Sequence, residues 1–117
     1  MEGNKYKYVS HKISSGPDSK GIQKDNIKVT LSKEGKEFDI NGEGNGPIDA
    51  FMNAFNNHNK SSFSISDYHQ HAISSGADAQ AVAYIEVQKD KKNLSWGAGI
   101  HANTLVASII SVLNAID

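Results

Sequence analysis

The sequence predicts an α+β fold of two β-β-β-α units related by pseudo-two-fold symmetry, with each helix packed on an antiparallel three-stranded sheet. Three observations support it: an internal repeat, alternating apolar positions after each copy, and a G-x-G motif before an apolar helical stripe in both halves. The 117 residues suit one domain. We expect that domain over residues 6–117, with units over about 6–60 and 61–117, and residues 1–5 as an added start or a disordered end.

The internal repeat opens both units. Residues 8–18 (YVSHKISSGPD) and 68–78 (YHQHAISSGAD) are identical at seven of eleven positions and start sixty residues apart. A period of sixty in a chain of this length leaves room for two copies. Each copy is therefore interpreted as the first strand of its unit.

Two further strands follow each copy. Ile27, Val29 and Leu31 alternate with polar residues, and residues 82–87 alternate similarly. Polar turns at residues 32–36 and 89–93 then lead into strands at residues 38–40 and 94–96. Gly35 fits a hairpin turn that needs positive φ, and hairpin-sized connections favour antiparallel pairing.

Each unit ends in a helix that follows a glycine motif, GEG at 42–44 and GAG at 97–99. Pro47 suits the first position of the first helix, and Asn103 is a plausible N-cap of the second. The glycines allow positive φ or close approach of another group. The first helix start therefore suits a bound carboxylate or phosphate, although a plain strand-to-helix connection explains the same pattern.

Composition argues against several classes of function. All twelve basic residues are lysine, and the absence of arginine weighs against nucleic-acid recognition. The chain has no cysteine, which excludes disulfides and thiol chemistry. We expect neither a signal peptide nor a membrane span, because no apolar run is long enough.

The residue patterns support no catalytic or metal site. His69 and His71 would share one face of a strand, but the ligand spacings typical of zinc are absent, and His71 repeats His11. No nucleophile-elbow, dinucleotide or P-loop pattern occurs. Tyr68 could close over a small ligand, or it could be a half-buried strand tyrosine like Tyr8.

Four ordered motifs resemble the C-terminal regulatory domain of 2-isopropylmalate synthase. They are GNGPIDAF at 44–51, DYHQHA at 67–72, GADAQAVAY at 76–84 and WGAGI at 96–100. The resemblance runs in one register over about residues 6–116. It implies two three-strand-plus-helix units, as the repeat predicts independently.

The resemblance also implies a function. The domain would bind L-leucine as the feedback inhibitor of leucine biosynthesis, and it would itself be non-catalytic and without a cofactor. Acetyl-CoA would condense with 2-oxoisovalerate in a separate catalytic domain, a TIM barrel that uses a divalent metal. The expected partners are leucine, that catalytic domain and a second copy in a homodimer, with no nucleic acid and no membrane. The expected location is the cytoplasm, or the mitochondrion for a fungal parent.

By motif, the resemblance places the leucine site at the first helix start and in the second unit. The residues carried over are Asn45, Gly46, Pro47, Ile48 and Asp49, then Ile65, Tyr68, Ala72, Ala79 and Ala81. A free amino acid needs donors for its carboxylate, acceptors for its ammonium group and an apolar slot. Asp49 departs from family members that carry a small apolar residue there, which leaves its role as a direct ligand open.

Three alternative interpretations of the function remain. The sibling domain of citramalate synthase senses isoleucine, and an apolar pocket separates such isomers by only about 1–3 kcal/mol. A dimerisation domain without effector binding would share the same fold. A small hydrolase or metal protein using His69 and His71 is the third.

Overall fold

The computed structural model describes residues 6–17, 19–73, 79–90 and 92–116. Its elements, in chain order, are β1 (Tyr6–Pro17), β2 (Gln23–Lys33), β3 (Lys36–Gly44), α1 (Pro47–Asn59), β4 (Ser64–Ala72), β5 (Ala81–Gln88), β6 (Leu94–His101) and α2 (Thr104–Ile116). The predicted β-β-β-α order, repeated twice, is confirmed. Residues 1–5 and the end of the second repeat copy, residues 74–78, lie outside the described residues.

The strands form two antiparallel three-stranded sheets, in the orders β1-β2-β3 and β4-β5-β6. In the first sheet Val29 lies opposite Ile40, and in the second Ile85 lies opposite Gly97. Gly35 has the positive φ that its hairpin position predicted, and Glu34 beside it shares that conformation. The turn pattern was therefore enough to predict the pairing of β2 with β3 and that of β5 with β6.

The chain divides into two compact units, residues 8–61 and residues 62–116 with residues 6 and 7. In the first unit α1 packs on β2 and β3, and in the second α2 packs on β5 and β6. The first core consists of Ile27, Val29, Leu31, Ile40, Ala50, Phe51, Met52, Ala54 and Phe55. The second consists of Ala81, Val82, Ala83, Ile85, Val87, Val106, Ala107, Ile109, Val112, Leu113 and Ala115.

The glycine motifs let each helix lie directly on its third strand. A Cβ atom on Gly42 would come within 2.5 Å of the Ala50 oxygen and the Ala54 nitrogen. A Cβ on Gly97 would overlap backbone atoms of α2 in the same way. Among the described glycines only Gly21 and Gly35 have positive φ, so the motif glycines serve close packing and not an unusual backbone conformation.

Both helix starts agree with the sequence prediction. Pro47 occupies the first turn of α1, and Asp49 also lies there. Asn103 caps α2, because its Oδ1 accepts a hydrogen bond from the Val106 N–H at 3.1 Å. At the other end of α1, Lys60 is left-handed with φ 54°, and its N–H donates to Asn56 O.

Asp90 organises the turn between β5 and β6. Its Oδ1 accepts the N–H groups of Lys92 at 2.8 Å and Asn93 at 2.9 Å, and its Oδ2 accepts the Asn93 side-chain amide at 2.7 Å. These hydrogen bonds, that of the Lys92 N–H foremost, hold the pKa of Asp90 below its ordinary value. The turn is thus tied to an ionised carboxylate.

Candidate functional site

The start of α1 is a short loop closed by hydrogen bonds. The Asn45 N–H donates to Asp49 Oδ2 at 3.0 Å, and the Ala50 N–H donates to Gly46 O at 2.9 Å. Lys24 Nζ donates to Asn45 Oδ1 at 3.1 Å. Asn45, Pro47 and Asp49 are exposed, and Gly46 and Ile48 are half-buried, so all five predicted residues of this unit border one accessible surface.

Asp49 has an internal structural role at this helix start. Besides accepting the Asn45 N–H, its carboxylate lies so close to Gly44 that a Cβ there would be 2.5 Å from Asp49 Oδ2. A carboxylate in the first turn also complements the helix dipole. Asp49 therefore holds the loop against the strand end, which gives a local reason for an acidic residue at this position.

In the second unit, four of the five predicted residues lie on one side of the sheet. Tyr68 lies opposite Ile85, Ala72 opposite Ala81, and Ile65 opposite Val87. Residues three apart on a regular strand point to opposite faces. The register shift between Ile65 and Asp67 changes this, because the extra residue lets both Ile65 and Tyr68 lie opposite residues that pack against α2.

Tyr68 reaches α2 through its hydroxyl group. Its oxygen lies 2.9 Å from the Oγ of Ser108, a fully buried residue of that helix, and 2.5 Å from Gln70 Oε1. Ser108 Oγ also donates to Thr104 O at 3.0 Å. The tyrosine remains 42% exposed, so its ring is fixed at the tip but accessible along its body.

Tyr68 differs from its counterpart in the first repeat copy. The Tyr8 hydroxyl bonds to Nδ1 of His11, on its own strand, at 2.7 Å. Burial raises the pKa of Tyr8. The two tyrosines occupy equivalent repeat positions but differ in the partners of their hydroxyl groups, since Tyr68 contacts α2 and Tyr8 contacts its own strand.

The sequence analysis missed Gln70 and Ser108. Gln70 shares the face of Tyr68, two residues further along β4. Ser108 stands three residues after Leu105 and four before Val112, so it is a polar residue within the apolar stripe of α2. That mismatch was the one signal available, since its contact with Tyr68 spans forty residues.

Small residues flank the tyrosine. Ala81 is 6% exposed and Ala72, opposite it, is exposed, so a shallow alanine-lined strip continues along the same face. Ala79 is exposed in the segment before β5, near the point where the Ile73 N–H donates to Gln80 O at 3.0 Å. Ala79 thus borders the strip without belonging to either strand.

The histidine pair lies on the opposite face of this sheet. His69 is opposite Tyr84, and its Nε2 lies 3.2 Å from Asp67 Oδ2. Among the residues that the structure describes, no group of three or more His, Asp or Glu side chains could hold a metal ion.

Neither α1 nor α2 is long and apolar enough to cross a membrane.

A separate cleft of about 720 Å³ lies in the first unit. Ile13, Ile27, Gly42 and Asn57 are among the residues that line it, together with lysines and polar residues of the sheet. It contains none of the ten predicted site residues. Its open, lysine-bearing lining differs from the small apolar strip beside Tyr68.

Comparison with known proteins gives one consistent family. A family model described as the LeuA allosteric (dimerisation) domain matches residues 1–117. A 2-isopropylmalate synthase of Cupriavidus taiwanensis is 37% identical over 95% of this chain, and one of Rhodospirillum rubrum is 36% identical over 97%. One of Parafrankia sp. is 42% identical over 80%. The chain spans 18%, 20% and 16% of these three relatives.

Proposed function

We propose that this chain, which belongs to the LeuA allosteric (dimerisation) domain family, binds L-leucine and thereby regulates a longer 2-isopropylmalate synthase. The relatives carry that enzyme name, and this chain corresponds to less than a quarter of their length. The condensation of acetyl-CoA with 2-oxoisovalerate, and any metal it needs, would belong to the rest of such an enzyme. The bacterial relatives suggest a cytoplasmic parent.

In the second unit, the proposed contact surface for leucine is the alanine strip beside Tyr68. A branched aliphatic side chain fits against small alanines, and a hydroxyl group held at a fixed position can donate to or accept from an amino acid head group. The exposed ring body of Tyr68 offers apolar contact, while Ser108 keeps its tip in place. This combination of an apolar strip and one fixed polar atom suits a small aliphatic amino acid better than a large or planar ligand.

In the first unit, the proposed contact for the leucine carboxylate is the start of α1. Helix-start N–H groups and the positive end of the helix dipole favour a carboxylate. Asp49 already takes up the Asn45 N–H, so we expect it to shape the loop and not to bind the ammonium group directly. Gly46, where an added Cβ would meet nothing within 4 Å, leaves room for close approach.

Regulation would follow from linkage. Leucine inhibits only if it binds the inhibited arrangement of the whole enzyme more tightly than the active one. The present chain is therefore expected to bind leucine without turning over any substrate. The binding constant of leucine for this chain and the effect of leucine on the whole enzyme are separate measurements.

A calorimetric titration of leucine into the chain tests the proposal. Removal of the Tyr68 hydroxyl in Tyr68→Phe should weaken leucine binding by about two- to tenfold, the range for one lost hydrogen bond. Tyr8→Phe is the matched control, since the Tyr8 hydroxyl bonds to His11 in its own strand, and it should bind like the wild type. Absence of binding to the wild type, or tighter binding of isoleucine than leucine, would contradict the assignment.

A further inference from the structure

The chain contains two Asn-Gly sequences, Asn41-Gly42 within β3 and Asn45-Gly46 just before α1. A glycine after asparagine has no Cβ to shield its backbone nitrogen, so this nitrogen can reach the side-chain amide carbon of the asparagine. We propose that Asn45 is a site of spontaneous deamidation, whereas the fold protects Asn41. The reaction places a new carboxylate at the start of α1.

Deamidation proceeds through a cyclic imide. The Gly46 nitrogen loses its proton and attacks Cγ of Asn45, the bond from Cγ to the side-chain nitrogen breaks, and ammonia leaves. Water then opens the five-membered ring at either carbonyl group, which yields aspartate or isoaspartate. One water is consumed and one ammonia is released, so the reaction needs no oxidant or reductant. Because the reacting groups belong to adjacent residues, the slow step is intramolecular.

Asn45 lies in the short loop between β3 and α1. Its side chain is exposed, and Gly46 is extended, with φ −166° and ψ 173°. Within the described residues, the Gly46 N–H donates no hydrogen bond, although the Gly46 oxygen accepts one from the Ala50 N–H. A Cβ added at Gly46 would meet nothing within 4 Å. The attacking nitrogen therefore has neither a hydrogen bond to break nor a neighbour to displace.

Two positive charges favour the reaction at Asn45. Lys24 Nζ donates to Asn45 Oδ1 at 3.1 Å, and its charge stabilises the negative charge that develops on this oxygen during attack. The positive end of the α1 dipole lies beside the Gly46 nitrogen and favours its deprotonated form. Asp49 Oδ2 accepts the Asn45 N–H at 3.0 Å, which keeps the loop in this conformation.

The strand pairing of β3 protects Asn41. Gly42, whose nitrogen would have to attack, lies opposite Ile27 in β2. Residues 34 and 35 of the connecting turn both have positive φ, which is typical of a two-residue hairpin loop closed by a hydrogen-bonded pair. Hydrogen-bonded pairs recur at every second residue from such a turn, and Ile27 with Gly42 is one of them. The Gly42 N–H is therefore engaged in the ladder.

Helix α1 adds a second protection. A Cβ on Gly42 would be 2.5 Å from the Ala50 oxygen and 2.5 Å from the Ala54 nitrogen, so the helix backbone lies directly against Gly42. Ring closure at Asn41 must break a ladder hydrogen bond and separate α1 from β3. We therefore expect Asn45 to react at least about tenfold faster than Asn41, a difference of about 1.4 kcal/mol in barrier height.

The product alters the surface that we propose for the leucine carboxylate, a consequence that rests on the proposed function. Lys24 would hold the new carboxylate at the helix start, beside that of Asp49, where negative charge disfavours an incoming carboxylate. Asn45→Asp carries the charge of the product and should bind leucine about tenfold more weakly in calorimetry. The rates of deamidation are measured without leucine, so they test the inference independently of the proposed function.

Peptide mapping by mass spectrometry tests the proposal. The wild-type chain is incubated in mildly alkaline buffer and then cleaved with trypsin. Cleavage after Lys36 and Lys60 leaves both Asn-Gly sequences in one peptide, so fragment masses compare the two asparagines in the same molecules. We expect aspartate and isoaspartate at position 45 well before either forms at position 41. Equal rates, or a faster reaction at Asn41, would overturn the proposal.

Two further samples separate the effect of the fold from that of the local sequence. In urea, which removes the strand pairing and the helix, Asn41 should react at a rate close to that of Asn45. A difference as large as in the folded chain would refute the protection by β3 and α1. Gly46→Ala adds a methyl group beside the attacking nitrogen at a position with open space, so the protein should fold and Asn45 should react about tenfold more slowly. Deamidation of this variant at the wild-type rate would contradict attack by the Gly46 nitrogen.

Discussion

Replacement of Gly42 by alanine should destabilise the first unit, because α1 lies directly on this residue. The added Cβ would be 2.5 Å from the Ala50 oxygen and 2.5 Å from the Ala54 nitrogen, where ordinary contacts begin near 3.4 Å. Both atoms are helix backbone, so no change of side-chain rotamer relieves the overlap. The helix must retreat by roughly 1 Å, which forfeits a quarter to a half of the dispersion energy of its closest contacts.

The expected loss of unfolding free energy is about 3 kcal/mol, the upper end of the range for overpacking. The buried contacts at risk include those of Phe51 and Phe55, which face the same sheet. Urea unfolding, followed by circular dichroism, measures the change. Gly16→Ala is the control, since its Cβ would meet nothing within 4 Å, and it should stay within about 1 kcal/mol of the wild type. A Gly42→Ala protein as stable as the control would refute the packing argument.

Three further predictions concern a helix end, a turn and the tyrosine contact. Lys60→Gly should stabilise the chain by about 0.5–1 kcal/mol in urea unfolding, because φ 54° suits glycine better than lysine; a loss of stability would contradict this. The lowered pKa of Asp90 means that the folded state binds its proton less tightly than the unfolded state does. That contribution is present above the unfolded pKa, near 3.9, and is lost as the pH falls through the folded value. Asp90→Asn should therefore flatten the dependence of the urea midpoint on pH below about 4, and an unchanged slope would count against it. Ser108→Ala should reduce leucine affinity by about two- to tenfold through loss of its contact with Tyr68, whereas Ser111→Ala, equally buried but bonded to a strand carbonyl, should lower only stability; equal effects on affinity would contradict the positioning role.

Local patterns were sufficient to predict most of the fold. The repeat predicted two β-β-β-α units, Gly35 predicted a hairpin turn, and Pro47 and Asn103 predicted the helix starts. The turn and the helix starts depend on interactions between residues close in sequence, and the repeat is a self-similarity of the chain. A single sequence displays both directly.

The details around the candidate site depend on distant pairings. The irregularity between Ile65 and Asp67 is a feature of the pairing of β4 with β5, and no turn or bulge signal in the local sequence predicted it. Ser108 meets a residue forty positions away. The use of Gly42 for helix packing, and not for an unusual φ, likewise depends on where α1 lies. Such features become visible only once the sheet register and the helix position are known.

The apolar outer face of the second sheet shows a different limit of prediction from sequence. The alternation of residues 94–96 predicted a strand, but it could not say which of its two faces would meet a helix. The glycines at 97 and 99 decide this, because α2 approaches them and thereby turns Leu94, Trp96 and Ile100 outward. This strand of the second sheet thus exposes three large apolar side chains.

Thermal unfolding of the wild-type chain with millimolar L-leucine, L-isoleucine, L-valine or D-leucine tests the central claim most directly. A ligand at about 100 times its dissociation constant adds roughly 2.7 kcal/mol, which raises the midpoint by several degrees for a domain of this size. We expect the largest increase with L-leucine and little or none with D-leucine, whose head group has the opposite hand. An unchanged midpoint with all four amino acids, or a larger increase with L-isoleucine, would contradict a leucine-binding regulatory domain.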